Sequence, residues 1–286
     1  MKILNAIIPF LMISSAHSSI YGFDNRIEAF QNTNPELSSV VGSTAAMIAN
    51  EFITPSSGNS VEITAPLFKE IYRLCNSERF RDQITAANCS GTLIAKDVIL
   101  TAGHCFAERG LDCKGYDWVF DYRLSNSSTN KFIIPKNNVY KCKQIIKLKI
   151  ENQKNIDYAL IRLDRAVLDR RPVNIRLTGE IERSSTIAAI GHPRGLPTKI
   201  ATSGNLLEIF PDSFRTNLDT YTMNSGSGVF NEKTGELEGV LISGSLDFEA
   251  ATNGSSSCNK SKIYNQNDGK ELVTKISNIW DDIDLL

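Results

Sequence analysis

Thr101-Ala102-Gly103-His104-Cys105 sets a histidine beside a cysteine at the end of a short apolar run. Asn224-Ser225-Gly226-Ser227-Gly228 lies far downstream, and Asp157 lies between the two stretches. A serine is a poor nucleophile until a base removes its proton, and an imidazole does this best when a carboxylate fixes its tautomer. The chain therefore supplies the three groups of nucleophilic hydrolysis in the order His, Asp, Ser.

Only three histidines occur in the 286 residues, which narrows the choice of base. His17 lies in an N-terminal segment that is expected to be removed. His192 lies beside Pro193 and between glycines, a composition typical of an exposed turn, and we expect a structural role for it. His104 is therefore the candidate base.

Four segments resemble the chymotrypsin-fold serine proteases, the trypsin-like S1-type family, and are most similar to its secreted bacterial trypsin-like and glutamyl-endopeptidase-like members. They are Cys89 to Ile94, Val98 to Cys105, Asp157 to Leu160 and Asn224 to Gly228. The resemblance implies that His104 is the general base, Asp157 its orienting partner and Ser225 the nucleophile. Ser227 is a rival nucleophile, but Ser225 stands where the family places its serine, after Asn or Asp and before Gly.

Short apolar runs separated by turn residues recur along the chain and predict an all-β fold. A β protein of this length commonly forms a single domain. The resemblance implies two packed antiparallel six-stranded Greek-key barrels, with His104 and Asp157 in the first, Ser225 in the second and the site in the crevice between them. Apolar residues from Leu272 to Ile283 fall near helical spacing and predict a C-terminal helix docked on a barrel.

The N-terminus has the pattern of a signal peptide, assigned to residues 1–19. Lys2 precedes the apolar run Ile3 to Ile13, which is too short to span a bilayer and is followed by small residues at Ser14 to Ala16. Residues 20–45 are polar and form either a prosegment or an N-terminal arm, and residues 46–286 form the peptidase domain. We expect a secreted protein, or a periplasmic one in a bacterium, with no integral membrane segment in its mature form.

The six cysteines are an even number, which suits the disulfides of an exported protein. Cys89 and Cys105 flank a predicted strand-turn-strand, and their bridge resembles the one beside the catalytic histidine in this family. Proximity and elimination suggest Cys113 with Cys142 and Cys75 with Cys258, although six cysteines allow fifteen pairings. No Cys-x-x-Cys pair occurs, so we expect no metal site, and the mechanism needs no cofactor.

The formal net charge is −1 and no long charged block occurs, which argues against a nucleic-acid or membrane-surface partner. The expected partners are protein or peptide substrates, and we expect a monomer.

The resemblance implies that the backbone N–H groups of Met223 and Ser225 form the oxyanion hole. The family usually carries Gly at the first of these positions, and Met reaches the positive φ that Gly adopts there only at a cost. Asn224 stands where trypsin-like zymogens carry an Asp that pairs with a freed N-terminal ammonium. Since Asn224 is neutral, we expect an activity that does not depend on a freed N-terminus.

Asp219 lies six residues before Ser225, the offset at which trypsin carries the acid that binds a basic P1 side chain. An Asp at this offset also occurs in relatives that cut after Glu, so Asp219 is either that acid or an ordinary structural group. Ser243 and Gly244 are expected to wall the S1 pocket, on a strand that pairs with the substrate backbone.

The combined prediction is a secreted serine endopeptidase that acts through an acyl-enzyme. The alternative is a catalytically impaired homologue that binds peptides or a surface, for which Met223 is the best support. An esterase of the Gly-x-Ser-x-Gly type is disfavoured, because such enzymes place their Ser before the Asp and His.

Overall fold

The computed structural model describes residues 19–107, 110, 112–127, 131–253 and 256–283. Residues 1–18 of the predicted signal peptide lie outside the described residues. The described strands are β1 (Ile20–Tyr21), β2 (Arg26–Glu28), β3 (Thr44–Ala49), β4 (Ile53–Ser56), β5 (Ser60–Ile63), β6 (Ala87–Ala95), β7 (Val98–Thr101), β8 (Tyr116–Phe120), β9 (Phe132–Pro135), β10 (Val139–Glu151), β11 (Ile156–Leu163), β12 (Thr186–Gly191), β13 (Lys199–Ile209), β14 (Ser213–Thr216), β15 (Gly228–Asn231), β16 (Leu237–Ser243), β17 (Phe248–Asn253), β18 (Ser256–Ser261), β19 (Ile263–Tyr264) and β20 (Glu271–Lys275).

Helices are few and short. The α-helices are α1 (Pro35–Val41), α2 (Phe68–Tyr72), α3 (His104–Ala107) and α4 (Trp280–Ile283). The 3-10 helices are Ala29–Gln31, Asn50–Phe52, Lys136–Asn138, Asn152–Lys154, Pro193–Gly195, Gln266–Asp268 and Ile276–Ile279.

The first barrel closes in the order β10-β11-β7-β6-β3-β8, with every neighbouring pair antiparallel. All four residues of β7 are buried, which explains its continuous apolar run. Leu93, Ile99, Leu160 and Trp118 belong to its core. The same cluster continues into the second barrel through Phe230 and its neighbours, so the two barrels share a packed interface.

The second barrel contains β12-β15-β16-β20-β14-β13 and closes through the pairing of β12 with β13. Strand β2 adds to β13 outside this ring. Phe214, Val229, Leu241 and Val273 form part of its core. The predicted all-β fold of two antiparallel six-stranded barrels is therefore confirmed.

The C-terminal helix is present but shorter than the spacing predicts. Residues 271–275 form β20, which inserts between β16 and β14, and only Ile276–Ile279 and Trp280–Ile283 are helical. The apolar residues fall near helical spacing because Val273, Ile276 and Ile279 are all buried at intervals of three residues. Val273 faces Phe214 and Leu241 in the neighbouring strands, so its burial belongs to the barrel.

The segment 20–45, predicted as a prosegment or an N-terminal arm, is built into the fold. Its strand β2 pairs with β13, and its side chains Arg26 and Glu28 are buried. The Arg26 guanidinium lies 3.8 Å from the centre of the Tyr221 ring and pairs with Asp24 at 2.8 Å. These contacts pack the segment against the second barrel, and its assignment as a prosegment or as an N-terminal arm stays a prediction.

Three disulfides join Cys89 to Cys105, Cys113 to Cys142 and Cys75 to Cys258, which are the predicted pairs. In the described part of the chain, no helix has the length and apolar character needed to cross a membrane. No group of three or more His, Cys, Asp or Glu residues within that part is placed to hold a metal ion.

Candidate active site

His104 is the first residue of α3, which follows β7 after a two-residue turn, Ala102 and Gly103. Gly103 lets this turn approach β11 closely, because a methyl group there would lie 2.9 Å from Asp157 Oδ1 and 3.0 Å from the carbonyl oxygen of Tyr158. The disulfide from Cys105 to Cys89 ties α3 to β6. The position of the imidazole is therefore fixed by a close backbone contact and a covalent bond.

Both carboxylate oxygens of Asp157 bind His104. Oδ2 lies 2.6 Å from His104 Nδ1, and Oδ1 accepts the His104 backbone N–H at 3.0 Å. This arrangement holds the ring and favours the proton on Nδ1, which leaves Nε2 as the proton acceptor. The side chains are 20% and 14% exposed, so the pair is sheltered and still accessible.

Thr274 supports Asp157 from the second barrel and was missed from the sequence. Its hydroxyl accepts the Asp157 backbone N–H at 3.1 Å and donates to the carbonyl oxygen of Asn155 at 2.9 Å. In the sequence Thr274 appeared only as a polar residue within an apolar stretch, with no signal that it meets Asp157.

Ser225 is fixed by both barrels. Its carbonyl oxygen accepts the Ser90 N–H of β6 at 2.8 Å, and the next N–H, of Gly226, donates to Leu241 of β16 at 2.8 Å. Gly226 has φ +85°, and a Cβ there would overlap the Ser90 carbonyl oxygen. Among the described residues, no hydrogen bond joins the Ser225 hydroxyl to His104. Such bonds are often long before substrate binds and tighten in the complex.

Ser227, the rival nucleophile, is fully buried and donates its hydroxyl to Asn224 Oδ1 at 2.9 Å. The neutral Asn224 thereby has a partner within its own turn. Ser225 is the better placed of the two serines to meet a substrate, because Ser227 has no solvent-accessible surface.

Met223 adopts φ +70°, the left-handed conformation expected of the glycine usually found at its position. For a non-glycine residue this conformation costs about 1–2 kcal/mol. Among the described residues, no acceptor binds the backbone N–H of Met223 or that of Ser225. The preceding carbonyl, of Thr222, accepts the Arg194 N–H at 2.7 Å.

The model of the family described as trypsin-like peptidase domain matches residues 89–240, more than half of the chain. The chain belongs to the trypsin-like peptidase family. This match spans His104, Asp157 and Ser225. No curated protein matches the chain significantly in sequence.

Two solved structures are similar to this trypsin-like peptidase. One is Rv3671c from M. tuberculosis H37Rv, an inactive serine-to-alanine mutant, with a TM-score of 0.46 and 11% identity over 88% of this chain and 90% of that one. The other is the serine endoprotease from Yersinia pestis, with a TM-score of 0.51 and 13% identity over 89% of this chain and 66% of that one. The likeness to the second structure shows a shared chymotrypsin-like fold.

In this trypsin-like peptidase, Asp219 binds the N-terminal arm. Its Oδ1 accepts the Tyr21 N–H at 2.7 Å, and its Oδ2 accepts the Asn25 N–H at 2.8 Å. Burial raises the pKa of the Asp219 carboxyl to about 6, against these two hydrogen bonds, which lower it. The geometry favours the structural role for Asp219 over the role of binding a basic P1 side chain.

Ser243 ends β16 and is partly buried, and Gly244 follows it. A Cβ on Gly244 would overlap the carboxyl group of Glu271, a fully buried residue that the sequence did not point to. Glu271 accepts hydrogen bonds from the Tyr21 hydroxyl at 3.0 Å and the Thr220 hydroxyl at 2.5 Å. Burial raises the pKa of the Glu271 carboxyl well above its usual range, which favours the neutral acid.

His192 is buried and not exposed as the turn composition predicts. Its Nδ1 lies 3.1 Å from the carbonyl oxygen of Leu196, and its ring stacks on Tyr122 at a centroid distance of 5.6 Å. Burial lowers the pKa of His192 to about 3, so the ring is neutral at neutral pH. The segment turns inward because the Ser90 hydroxyl accepts the His192 N–H at 2.9 Å.

Proposed function

We propose that this protein is a secreted serine endopeptidase that hydrolyses protein or peptide substrates through an acyl-enzyme. The observation that carries the proposal is the double contact of Asp157 with the ring and backbone of His104. A histidine held in this way is prepared to accept a proton at Nε2 and to be stabilised as an imidazolium.

In the proposed reaction, His104 Nε2 takes the Ser225 hydroxyl proton as Oγ attacks the scissile carbonyl carbon. The negative charge that develops on the carbonyl oxygen is stabilised by the N–H groups of Met223 and Ser225. The imidazolium then protonates the leaving amine, and the C–N bond breaks. A water molecule, deprotonated by His104, then attacks the acyl carbon. The ester bond to Ser225 Oγ breaks, the imidazolium returns its proton to Oγ, and the carboxylic acid product leaves.

Export is part of the proposal. Three disulfides require an oxidising compartment for their formation, and the apolar N-terminal run is typical of a signal peptide. We assign residues 1–19 to that peptide, 20–45 to an arm that remains with the domain, and 46–286 to the peptidase domain. The protein then acts outside the cell, or in the periplasm of a bacterium.

The substrate backbone is proposed to pair with the chain at Ser243 and Gly244, by addition of a strand. Backbone N–H groups of the N-terminal arm bind both carboxylate oxygens of Asp219. The Glu271 carboxyl lies against Gly244, and its burial favours the protonated, neutral form. Neither Asp219 nor Glu271 then offers an unpaired anion to a Lys or Arg side chain. We therefore propose a P1 preference other than basic.

The impaired homologue that binds peptides or a surface is the alternative. Its support is the conformational free energy that Met223 needs to adopt the positive φ of the glycine usually found there. In the structure Met223 has φ +70°. The conformation needed for an oxyanion hole is thus compatible with this residue.

A fluorophosphonate probe tests the proposal on the exported, disulfide-bonded protein. We expect stoichiometric labelling that is lost in Ser225→Ala and retained in Ser227→Ala. A folded wild-type protein that takes up no probe would exclude an activated serine and leave the binding homologue as the better description.

A further inference from the structure

We infer that Arg194 and Asp247 are positioning residues for the oxyanion loop, Thr222 to Ser225, and that they keep the N–H groups of both Met223 and Ser225 available to an oxyanion. The inference rests on the proposed function, since it explains how the same site is prepared for an oxyanion. It assigns a role to the Gly191 to Gly195 turn, which the sequence suggested was only structural.

The contact that carries this inference is the hydrogen bond from the Arg194 N–H to the carbonyl oxygen of Thr222, at 2.7 Å. The peptide unit that contains this carbonyl also contains the Met223 N–H. In a trans peptide the C=O and N–H bonds point in opposite directions. Fixing the Thr222 carbonyl toward Arg194 therefore fixes the Met223 N–H toward the other side.

The hydrogen bond from Arg194 to the Thr222 carbonyl also keeps the Ser225 N–H, the second oxyanion donor, free of an internal acceptor. The Ser225 N–H is three residues beyond the Thr222 carbonyl, the spacing of a β-turn hydrogen bond. The turn one residue earlier is formed, with the Asn224 N–H donating to Tyr221 at 3.1 Å. If the Thr222 carbonyl rotated, it would accept the Ser225 N–H and remove it from the site. In the structure the Thr222 carbonyl instead accepts the Arg194 N–H. The N–H groups of Met223 and Ser225 have no acceptor among the described residues.

Arg194 is itself firmly held. It has φ +53°, its carbonyl accepts the Thr85 hydroxyl, and its guanidinium pairs with the buried Asp247. The guanidinium carbon lies 4.6 Å from the centre of the Tyr72 ring and 5.4 Å from that of Phe248. An ion pair in such a buried, aromatic setting fixes geometry strongly, because leaving either charge alone is costly.

Asp247 binds the oxyanion loop directly as well. Each of its oxygens lies 3.2 Å from the Thr222 N–H. Thr222 is thus bound at its N–H by the Asp247 carboxylate and at its carbonyl by the Arg194 backbone. The ion pair joins these two anchors, so an internal charge pair holds the loop at both ends of Thr222.

Asp247→Asn tests the inference, because it keeps the shape and one acceptor oxygen while removing the charge. Loss of one oxyanion donor slows kcat by about 10²–10³-fold in other enzymes, and a loosened loop is expected to cost about 10–100-fold. KM for a peptide substrate should stay within about twofold, since ground-state contacts are unchanged. Affinity for a peptide boronic acid, whose adduct needs the same donors, should fall together with kcat.

Glu238→Gln is the matched control. Glu238 is also a buried carboxylate of the second barrel and pairs with Arg176 at 2.6 Å, so the variant loses an equivalent ion pair. We expect a similar fall in melting temperature with kcat unchanged. Arg194→Lys, which keeps the charge, should retain more kcat than Arg194→Met, and this comparison also serves if Asp247→Asn does not fold.

Crystal structures of the wild type and of Asp247→Asn or Arg194→Met separate this inference from the proposed function. In the wild type we expect the Thr222 carbonyl to accept the Arg194 N–H. In the variant we expect it to accept the Ser225 N–H. A wild-type protein with the Arg194–Thr222 hydrogen bond but no turnover would contradict the proposed function, whereas the role assigned to Arg194 and Asp247 would still hold. The inference is overturned by a folded variant with wild-type kcat and boronate affinity, or by a wild-type crystal in which Ser225 donates to Thr222.

Discussion

The hydroxyl of Thr274 accepts the backbone N–H of Asp157 at 3.1 Å, across the junction between the two barrels. Thr274 lies in β20 of the barrel that carries Ser225, whereas Asp157 lies in β11 of the barrel that carries His104. The hydrogen bond therefore couples the position of the carboxylate to the barrel that holds the nucleophile.

Thr274→Val removes this bond and keeps the side-chain shape. The Asp157 N–H and the Asn155 carbonyl lose their partner, and an unsatisfied buried group costs about 1–3 kcal/mol. We expect a lower free energy of unfolding and a several-fold lower kcat, and Thr274→Ser should restore both. Denaturant unfolding and peptide hydrolysis of the three proteins provide the measurement, and wild-type kcat in Thr274→Val would rule out a coupling role.

Asp157→Asn is expected to lower kcat by about 10⁴-fold, because the amide NH₂ favours the wrong tautomer of His104. KM should change little, since Asp157 contacts no substrate in the proposed reaction. Steady-state kinetics with a peptide substrate test this. A loss of less than about tenfold in a folded protein would mean that Asp157 does not orient the base.

The architecture was more predictable than the support of the site. Thr-Ala-Gly-His-Cys and Asn-Ser-Gly mark the family, and short apolar runs separated by turn residues predict the barrel strands. Thr274, Glu271 and Asp247 carry no such signal, since their roles depend on contacts between strands that are far apart in sequence. The overlong helix prediction has the same origin, because a buried strand followed by a 3-10 turn places apolar residues at intervals of three.

Met223→Gly should preserve the fold and hold kcat within about threefold of the wild type, because the left-handed conformation is already present. Relief of about 1–2 kcal/mol of backbone strain is opposed by about 0.5–1 kcal/mol of extra chain entropy. The net change in the free energy of unfolding is therefore expected to be near zero or slightly stabilising. Met223→Val, β-branched at the same φ, should be destabilised in the same denaturant titration. Equal stability of the two variants would contradict the assigned backbone conformation.

Asp219 should make stability depend on pH. Its folded-state pKa is raised from 3.8 to about 6, so the folded protein binds the proton more tightly than the unfolded chain does. Its contribution is fully present below about pH 4 and is lost as pH rises through about 6, by an amount on the order of 1–3 kcal/mol. The difference in unfolding free energy between wild type and Asp219→Asn should vary over this window and be flat from pH 7 to 8. A flat difference throughout would show that the Asp219 pKa is not raised.

P1 profiling with a peptide library tests the specificity argued from Asp219 and Glu271. Since both oxygens of Asp219 bind backbone N–H groups of the arm, we expect no preference for Lys or Arg, and Asp219→Asn should leave the profile of the folded protein unchanged. Glu271→Gln should alter the profile, because its carboxyl lies directly behind Gly244 and bonds to Tyr21. A strong preference for Arg that disappears in Asp219→Asn would instead place Asp219 in contact with substrate, and would require the arm to leave Asp219 when substrate binds.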